Sequence, residues 1–317
     1  MKALIFGASG QDGSYLSEYL LSLGYEVHGT IRRNSTPENQ ECRISDLRIE
    51  TYYADLTDTG SIDSVLLKVI PDEIYNLAAQ SHVRISYDVP QFTAATNAIG
   101  VLNLLESYRR ICPKAKFYQA SSSEMFGTSV DKDGYQREST PMNPVSPYGC
   151  AKVFAYNICR NYRRAYGLHI TNGILFNHES PRRASNFVTN KVVKAAVRIK
   201  LGLQEKLELG NMHSYRDWGH SKDYVKAMHL MIQQDNPGDW VVSTGVTNSV
   251  HDMVDYVFGK LNLSKDCIKT DERLRRPQEL DYLRGDSSKI RALGWEPEYT
   301  FETMLDEMIE FWLKIYG

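Results

Sequence analysis

Cysteine is scarce in this 317-residue chain: Cys42, Cys112, Cys150, Cys159 and Cys267 are the whole supply. Their number is odd, their spacing is wide and no C-x-x-C pair occurs, which argues against a disulfide framework or a cysteine zinc site. The eight histidines include no H-E-x-x-H or comparable cluster, so no metal is expected. His213 and His220 stand in a loop-rich stretch and read as structural residues. No apolar run approaches the roughly 18 residues that a membrane span needs. The chain starts Lys2-Ala3-Leu4-Ile5-Phe6 and meets glycines at once, unlike a secretion signal. The expectation is a cytoplasmic protein. Charge of one sign is lacking too. Thirty-seven basic and 39 acidic residues leave a net charge of -2, which gives no general attraction to nucleic acid or to an anionic membrane. Internal repeats and low-complexity linkers are absent.

What is present is an ordinary globular composition, 42% hydrophobic, long enough for one large domain or two packed ones. Residues 3–6 form a short apolar run that stops at Gly7, as a buried parallel strand does. Further strands are expected over residues 26–31, 51–54, 73–77 and 116–120. Tyr15, Leu16, Tyr19, Leu20 and Leu23 recur at helical spacing before Gly24. Helices also fit residues 59–68, 91–110, 147–166, 190–201 and 223–233. The chain closes on an amphipathic helix whose apolar face carries Phe301, Met304, Leu305, Met308, Ile309, Trp312 and Ile315. Alternating strands and helices predict an α/β fold, a Rossmann-like doubly wound parallel sheet. After about Leu175 the pattern becomes shorter and richer in glycine and proline. This divides the chain into a dinucleotide-binding domain over residues 1–175 and a smaller, mixed substrate-binding region over 176–317. The two are expected to interleave.

Gly7-Ala8-Ser9-Gly10-Gln11-Asp12-Gly13 lies between the first strand and the first helix. Glycines there permit a tight turn and let the backbone approach a pyrophosphate, while the helix N-terminus offers free N–H groups. At the end of the second strand, NAD-binding chains carry an acidic residue for the ribose diol. This chain has Arg32-Arg33 instead. A guanidinium suits a 2′-phosphate, so NADP is favoured over NAD.

Tyr148 and Lys152 are four residues apart on a predicted helix and share a face. An ammonium beside a phenol favours the phenolate, which predicts a lowered Tyr148 pKa and a usable base. The fifth strand ends in Ser121-Ser122-Ser123-Glu124, where parallel sheets place their sites. A serine there can hydrogen-bond a substrate hydroxyl. Simple alcohol oxidation needs no further acid, whereas Glu124 suits a reaction that also moves a C–H proton.

These motifs resemble the GDP-mannose 4,6-dehydratase family of extended short-chain dehydrogenase/reductases. The resemblance runs through Gly7 to Tyr15 (GASGQDGSY), Gly24 to Arg33 (GYEVHGTIRR), Asn76 to Val83 (NLAAQSHV) and Gln119 to Gly127 (QASSSEMFG). It continues through Ser146 to Lys152 (SPYGCAK), Leu175 to Arg183 (LFNHESPRR), Arg216 to Val225 (RDWGHSKDYV) and Arg276 to Asp281 (RPQELD). It implies NADP-dependent dehydration of GDP-mannose to GDP-4-keto-6-deoxymannose, a hydro-lyase reaction with internal hydride transfer from C4 to C6. It implies catalytic roles for Ser122, Glu124, Tyr148 and Lys152. Cofactor contacts are implied for Gly7, Gly10, Gln11, Asp12, Arg32, Asp55, Leu56, Leu77, Ala78, Ala79, Ser81, Lys152, His178 and Arg183. The nucleotide-sugar site would use Ser81, Ser122, Glu124, Tyr148, Asn177, Lys191, Arg216, Arg276 and Glu279. A homodimer or homotetramer is implied, with no nucleic-acid or membrane partner.

The chain departs from the family in three places. Serine replaces threonine at Ser122 and keeps the hydroxyl. Asn190 stands where the family has arginine, which questions a substrate or subunit contact. Residues 34–40 diverge in a stretch that helps assemble the family's tetramer. Two alternatives use the same scaffold: a GDP-mannoheptose 4,6-dehydratase, and a nucleotide-sugar epimerase or 4-reductase, which would not need Glu124. A non-enzymatic NADP-binding regulator would not need the tyrosine–lysine pair.

Overall fold

The structure is a computed structural model and describes residues 1–33, 43–274 and 277–317. The twelve strands of the described residues are β1 (Lys2–Phe6), β2 (Glu26–Ile31), β3 (Glu50–Tyr53), β4 (Glu73–Asn76), β5 (Lys116–Ser122), β6 (Ile170–Leu175), β7 (Asn177–Glu179), β8 (Leu207–Leu209), β9 (Tyr215–His220), β10 (Asp239–Val242), β11 (Thr247–Ser249) and β12 (Ile268–Thr270). Seven of them build one parallel sheet in the order β10-β6-β5-β4-β1-β2-β3. The order reverses beside β1, and the glycine turn leaves the sheet at that point. Ligands bind in the crevice that such a reversal opens at the strands' carboxyl ends.

Apolar side chains alternate to the two faces of the sheet. Ala3, Ile5 and Tyr75 pack with the Gln11–Ser22 and Ser221–Gln233 helices. Leu4, Phe6 and Ile74 pack with the Thr59–Val69, Gly100–Ile111 and Pro147–Tyr166 helices. A separate core joins the Val188–Lys200, Val250–Leu261 and Phe301–Tyr316 helices around Trp218, Met253 and Met304. A three-stranded mixed sheet, β11-β9-β7, lies in the later part of the chain. The doubly wound sheet and the smaller mixed region match the expected fold class.

Two features differ from the expected pattern, and a third, β10, gives the expected interleaving its place. β6 was not foreseen, because Thr171, Asn172 and Gly173 interrupt its apolar run, yet all six of its residues are buried. β10 returns to the first sheet from far beyond Leu175. Its first residue, Asp239, is fixed by Arg163 at 2.6 Å and by the Asn172 amide at 2.8 Å. The helix expected over residues 91–110 is not continuous. It runs as Pro90–Ala94, a π-helical turn over Ala95–Ile99, and Gly100–Ile111. Within that turn Asn97 accepts from the Gln80 N–H and donates to the Gln80 carbonyl, both at 2.8 Å. The wider turn presents a side-chain amide to a loop backbone beside the sheet's carboxyl edge.

The glycine turn packs with no spare space. Gly7 has φ +85, the left-handed region that glycine tolerates best, and a Cβ on Gly13 would lie 2.3 Å from the Gly7 carbonyl oxygen. Gly13→Ala therefore forces the first helix away from the turn. The expected loss is about 1–3 kcal/mol of stability. Denaturation that matches the wild type would contradict this packing.

Candidate active site

A cleft of about 500 Å³ opens at the carboxyl edge of the parallel sheet. It brings together Asp12, Leu77, Ala79, Ser81, Ser122, Glu124, Tyr148, Lys152, Asn177, His178, Arg183, Lys191, Arg216 and Glu279. Seven other expected residues lie outside its lining. Gly7, Gly10 and Gln11 form the turn and helix start. Ala78 follows β4, where its backbone approaches Gly7. Arg32 follows β2, its guanidinium 5.6 Å from the Phe92 ring centre. Asp55 sits in the turn after β3 and accepts from the Thr57 N–H and hydroxyl at 2.9 and 2.7 Å. Leu56 is buried beneath Gly100. Arg276 and residues 34–40 lie outside the described residues.

The reacting groups are positioned by helix starts. Ser146 caps the Pro147–Tyr166 helix by accepting from the Gly149 N–H at 3.0 Å, and the Ser86 hydroxyl accepts from the Tyr148 N–H at 3.2 Å. Tyr148 is thus fixed in the first helical turn. Lys152 follows one turn later, and its ammonium donates to the Ala120 carbonyl at 2.8 Å. At the end of β5 the Ser122 hydroxyl accepts from the Glu124 N–H at 3.2 Å and caps a single 3₁₀ turn. Glu124 is buried at 8% exposure, although its carboxylate lines the cleft. That placement disfavours a solvated loop residue.

Burial dominates the ionisation of this group. It pushes the Tyr148 phenol up to about 12, aided by Glu124 and opposed by the Ser122 hydrogen bond and the Arg183 charge. The expected lowering by Lys152 is therefore corrected. Lys152 is itself buried and pulled down to about 8, so its charge is weakly held near neutrality. Its Nζ lies 5.7 Å from the centre of the tyrosine ring.

A second network locks the glycine turn to β7. The His178 Nδ1–H donates to the Phe176 carbonyl at 2.7 Å, and Nε2 faces the Asp12 carboxylate at 2.8 Å. Burial disfavours the imidazolium, but Asp12 outweighs it and His178 is raised. Burial likewise opposes the Asp12 charge, yet His178, Arg183 and Gln11 bring the carboxyl down to about 2. Ser221 donates to Asp12 at 3.0 Å and Ser180 to Gln11 at 2.8 Å. Glu179, buried and raised by that burial, faces Arg183 at 3.1 Å.

The same turn fits an anionic dinucleotide. Gly10 caps the first helix without a side chain, which leaves first-turn N–H groups for a phosphate. Asp12 would repel that phosphate, but the imidazolium beside it balances the charge. At the other end of the cleft, Arg216 faces Glu279 at 3.4 Å and donates to the Tyr215 carbonyl at 2.8 Å. Burial lowers the Lys191 pKa. His82, Asn186, Asn211, Ser214 and Arg273 also line the cleft and were not anticipated. They come from loops and, for Arg273, a single 3₁₀ turn without a periodic pattern, and only the quoted NLAAQSHV segment brushed one of them. His220 is structural: its Nδ1 accepts from the Lys222 N–H at 3.0 Å and its ring stacks on Tyr299. Among the described residues no group of three or more His, Cys, Asp or Glu is placed to hold a metal ion, and no helix is long and apolar enough to cross a membrane.

A doubly wound sheet with a glycine turn, and a Tyr–Lys pair at its carboxyl edge, defines the architecture of an extended short-chain dehydrogenase/reductase. The family model for GDP-mannose 4,6 dehydratase matches residues 4–308. GDP-mannose 4,6 dehydratase 2 of Arabidopsis thaliana is 48% identical, covering 97% of this chain and 86% of the relative. The Homo sapiens GDP-mannose 4,6 dehydratase is 43% identical, covering 97% and 90%. The chain belongs to the GDP-mannose 4,6-dehydratase family. Its fold is also close to a Thermotoga maritima UDP-glucose 4-epimerase solved with UDP-glucose, at TM-score 0.88, 25% identity and full coverage of both chains. A Bacillus anthracis dTDP-glucose 4,6-dehydratase solved with NAD gives TM-score 0.85 at 23% identity, covering 99% of this chain and 97% of that one.

The Asp12–His178 pair sets a pH window. The lowered Asp12 contributes stability above its unfolded value of 3.8, which is lost as pH falls through about 2. The raised His178 contributes below its unfolded value of 6.5, and that is lost as pH rises through the folded value. Asp12→Asn is expected to cost about 2 kcal/mol at pH 5.5, with the difference narrowing at pH 9. A deficit that stays constant between those two pH values would contradict the pairing.

Proposed function

We propose that this chain dehydrates GDP-mannose to GDP-4-keto-6-deoxymannose with NADP as a returning hydride carrier. The observation that carries this reading is Glu124 in the same buried cleft as Ser122, Tyr148 and Lys152. An epimerase or 4-reductase needs no such carboxylate. Between the two dehydratase readings, the names of the relatives favour a mannose on GDP over a mannoheptose.

On this reading the Ser122 and Tyr148 hydroxyls hold the C4 hydroxyl of the hexose, and Tyr148 takes its proton as the C4–H bond breaks. When bound, the nicotinamide would supply a hydride acceptor for C4 and a hydride donor for C6, and its positive charge would favour the phenolate. The C4 ketone acidifies the C5–H. Glu124 removes that proton and passes it to the C6 hydroxyl, which leaves as water. Tyr148 then gives up the C4 hydroxyl proton, which balances the proton returned to C5 and completes a reaction with no net redox change. Lys152 and the Ala120 carbonyl fix the phenol-bearing helix against β5 while the proton moves. Asn177, Lys191, Arg216, Arg276 and Glu279 are assigned to the nucleotide sugar, cations facing its diphosphate and Glu279 a ribose diol.

The resemblance supports the remaining cofactor contacts: Gly7, Gly10, Gln11, Asp12, Arg32, Asp55, Leu56, Leu77, Ala78, Ala79, Ser81, Lys152, His178 and Arg183. Arg32 is the group that would meet the 2′-phosphate. The cofactor-binding part is residues 1–175 completed by β10, and the nucleotide-sugar part is the rest of 176–317. A homo-oligomer in the cytoplasm completes the proposal.

Incubation with GDP-mannose and NADP⁺ should yield a product lighter by one water without accumulation of NADPH. An unchanged mass would favour the epimerase. Glu124→Gln should lose about 10²- to 10⁴-fold in dehydration while binding NADP normally. Arg32→Ala should weaken NADP by roughly tenfold or more and leave NAD nearly unaffected. Equal losses for the two cofactors in a titration would remove the 2′-phosphate assignment.

A further inference from the structure

Asn190 is almost fully buried at 1% exposure. It occupies the first turn of the Val188–Lys200 helix. Its side-chain amide donates to the Arg183 carbonyl, and its amide oxygen accepts from the Trp312 indole N–H at 2.6 Å. The orientation of the amide is fixed, because a carbonyl can only accept and an indole N–H can only donate. Trp312 belongs to the last helix, Phe301–Tyr316, more than 120 residues away in sequence.

Arg183 itself lines the cleft. Its guanidinium lies over the Phe187 ring at 3.6 Å and faces Glu179 at 3.1 Å. Its charge favours the ionised forms of both Asp12 and Tyr148. The Arg183 N–H donates to the Ser180 carbonyl at 3.0 Å, and Ser180 in turn holds Gln11 of the glycine turn. One end of the Arg183 backbone is thus held from the glycine-turn side and the other by Asn190.

We infer that Asn190, clamped by Trp312, is a positioning residue that sets the Arg183 guanidinium in the cleft and thereby couples the C-terminal helix to cofactor binding. The Asn190 amide acts through the backbone of the neighbouring arginine. The inference rests on the proposed cofactor contact of Arg183. A neutral hydrogen bond contributes about two- to tenfold in an equilibrium constant, which sets the expected scale.

The test compares NADP dissociation constants and melting temperatures for the wild type, Trp312→Phe, Asn190→Leu and Lys194→Met. Trp312→Phe keeps a ring in the helix packing and removes only the indole donor. Lys194→Met removes the cation 4.7 Å from the Trp312 ring but leaves the hydrogen bond. NADP should bind about threefold more weakly to Trp312→Phe and about five- to tenfold more weakly to Asn190→Leu. Lys194→Met should bind as the wild type does. In Arg183→Met, adding Trp312→Phe should weaken NADP no further. Lower melting temperatures with unchanged dissociation constants would reduce both residues to structural roles and overturn the inference. A second loss of the same size in the Arg183→Met background would also overturn it. A wild-type chain that binds no NADP would instead sink the cofactor reading, and this inference with it.

Discussion

The imidazolium of His178 against the carboxylate of Asp12 is the contact on which the site is hung. Two charged side chains out of water are costly unless each is paired and hydrogen-bonded. Here the pair is completed by the Phe176 carbonyl, Ser221 and Gln11. It joins residues 166 positions apart, so the glycine turn and the segment after β6 cannot move independently. It also resolves an electrostatic conflict. A carboxylate at a helix N-terminus is favourable to the helix but would repel a phosphate bound there. Pairing it with a cation keeps the helix benefit and removes the repulsion.

The reacting groups share a second constraint, which is dryness. Ser122, Glu124, Tyr148 and Lys152 all have 9% exposure or less, and they arrive on two elements held by serine caps. Burial favours the neutral phenol of Tyr148 and loosens the ammonium proton of Lys152.

The glycine turn, the ends of β2 and β5, and the Tyr–Lys spacing were legible because each is a local signature: a strand, a break and a helix start. Sheet order was not, nor was the position of the late return, which falls at β10. Asp-Trp-Val-Val is too short to stand out, and its place depends on Arg163 and Asn172 far away. The Tyr148 ionisation was misread because spacing reveals a neighbour but not how deeply both are buried. The role of Asn190 was unreadable for a related reason. The substitution was visible, but its partner Trp312 looked like one more apolar residue on the face of a terminal helix. Hydrophobic periodicity ranks such a residue by its ring and says nothing of its N–H.

The π turn at Ala95–Ile99 has a consequence for how this stretch tolerates change in length. One residue beyond the α-helical repeat advances the chain by about 100° around the axis. The two flanking helical segments, Pro90–Ala94 and Gly100–Ile111, are therefore out of rotational phase with each other. Leu104 and Leu105, in the second segment, are buried in the core on one face of the sheet. Removing a single residue here would leave a smoother helix by every local measure, yet one half would present the wrong stripe to the core or withdraw Asn97 from Gln80. Length within these five positions is a constraint separate from composition, and it binds a surface helix to the loop that borders the cleft.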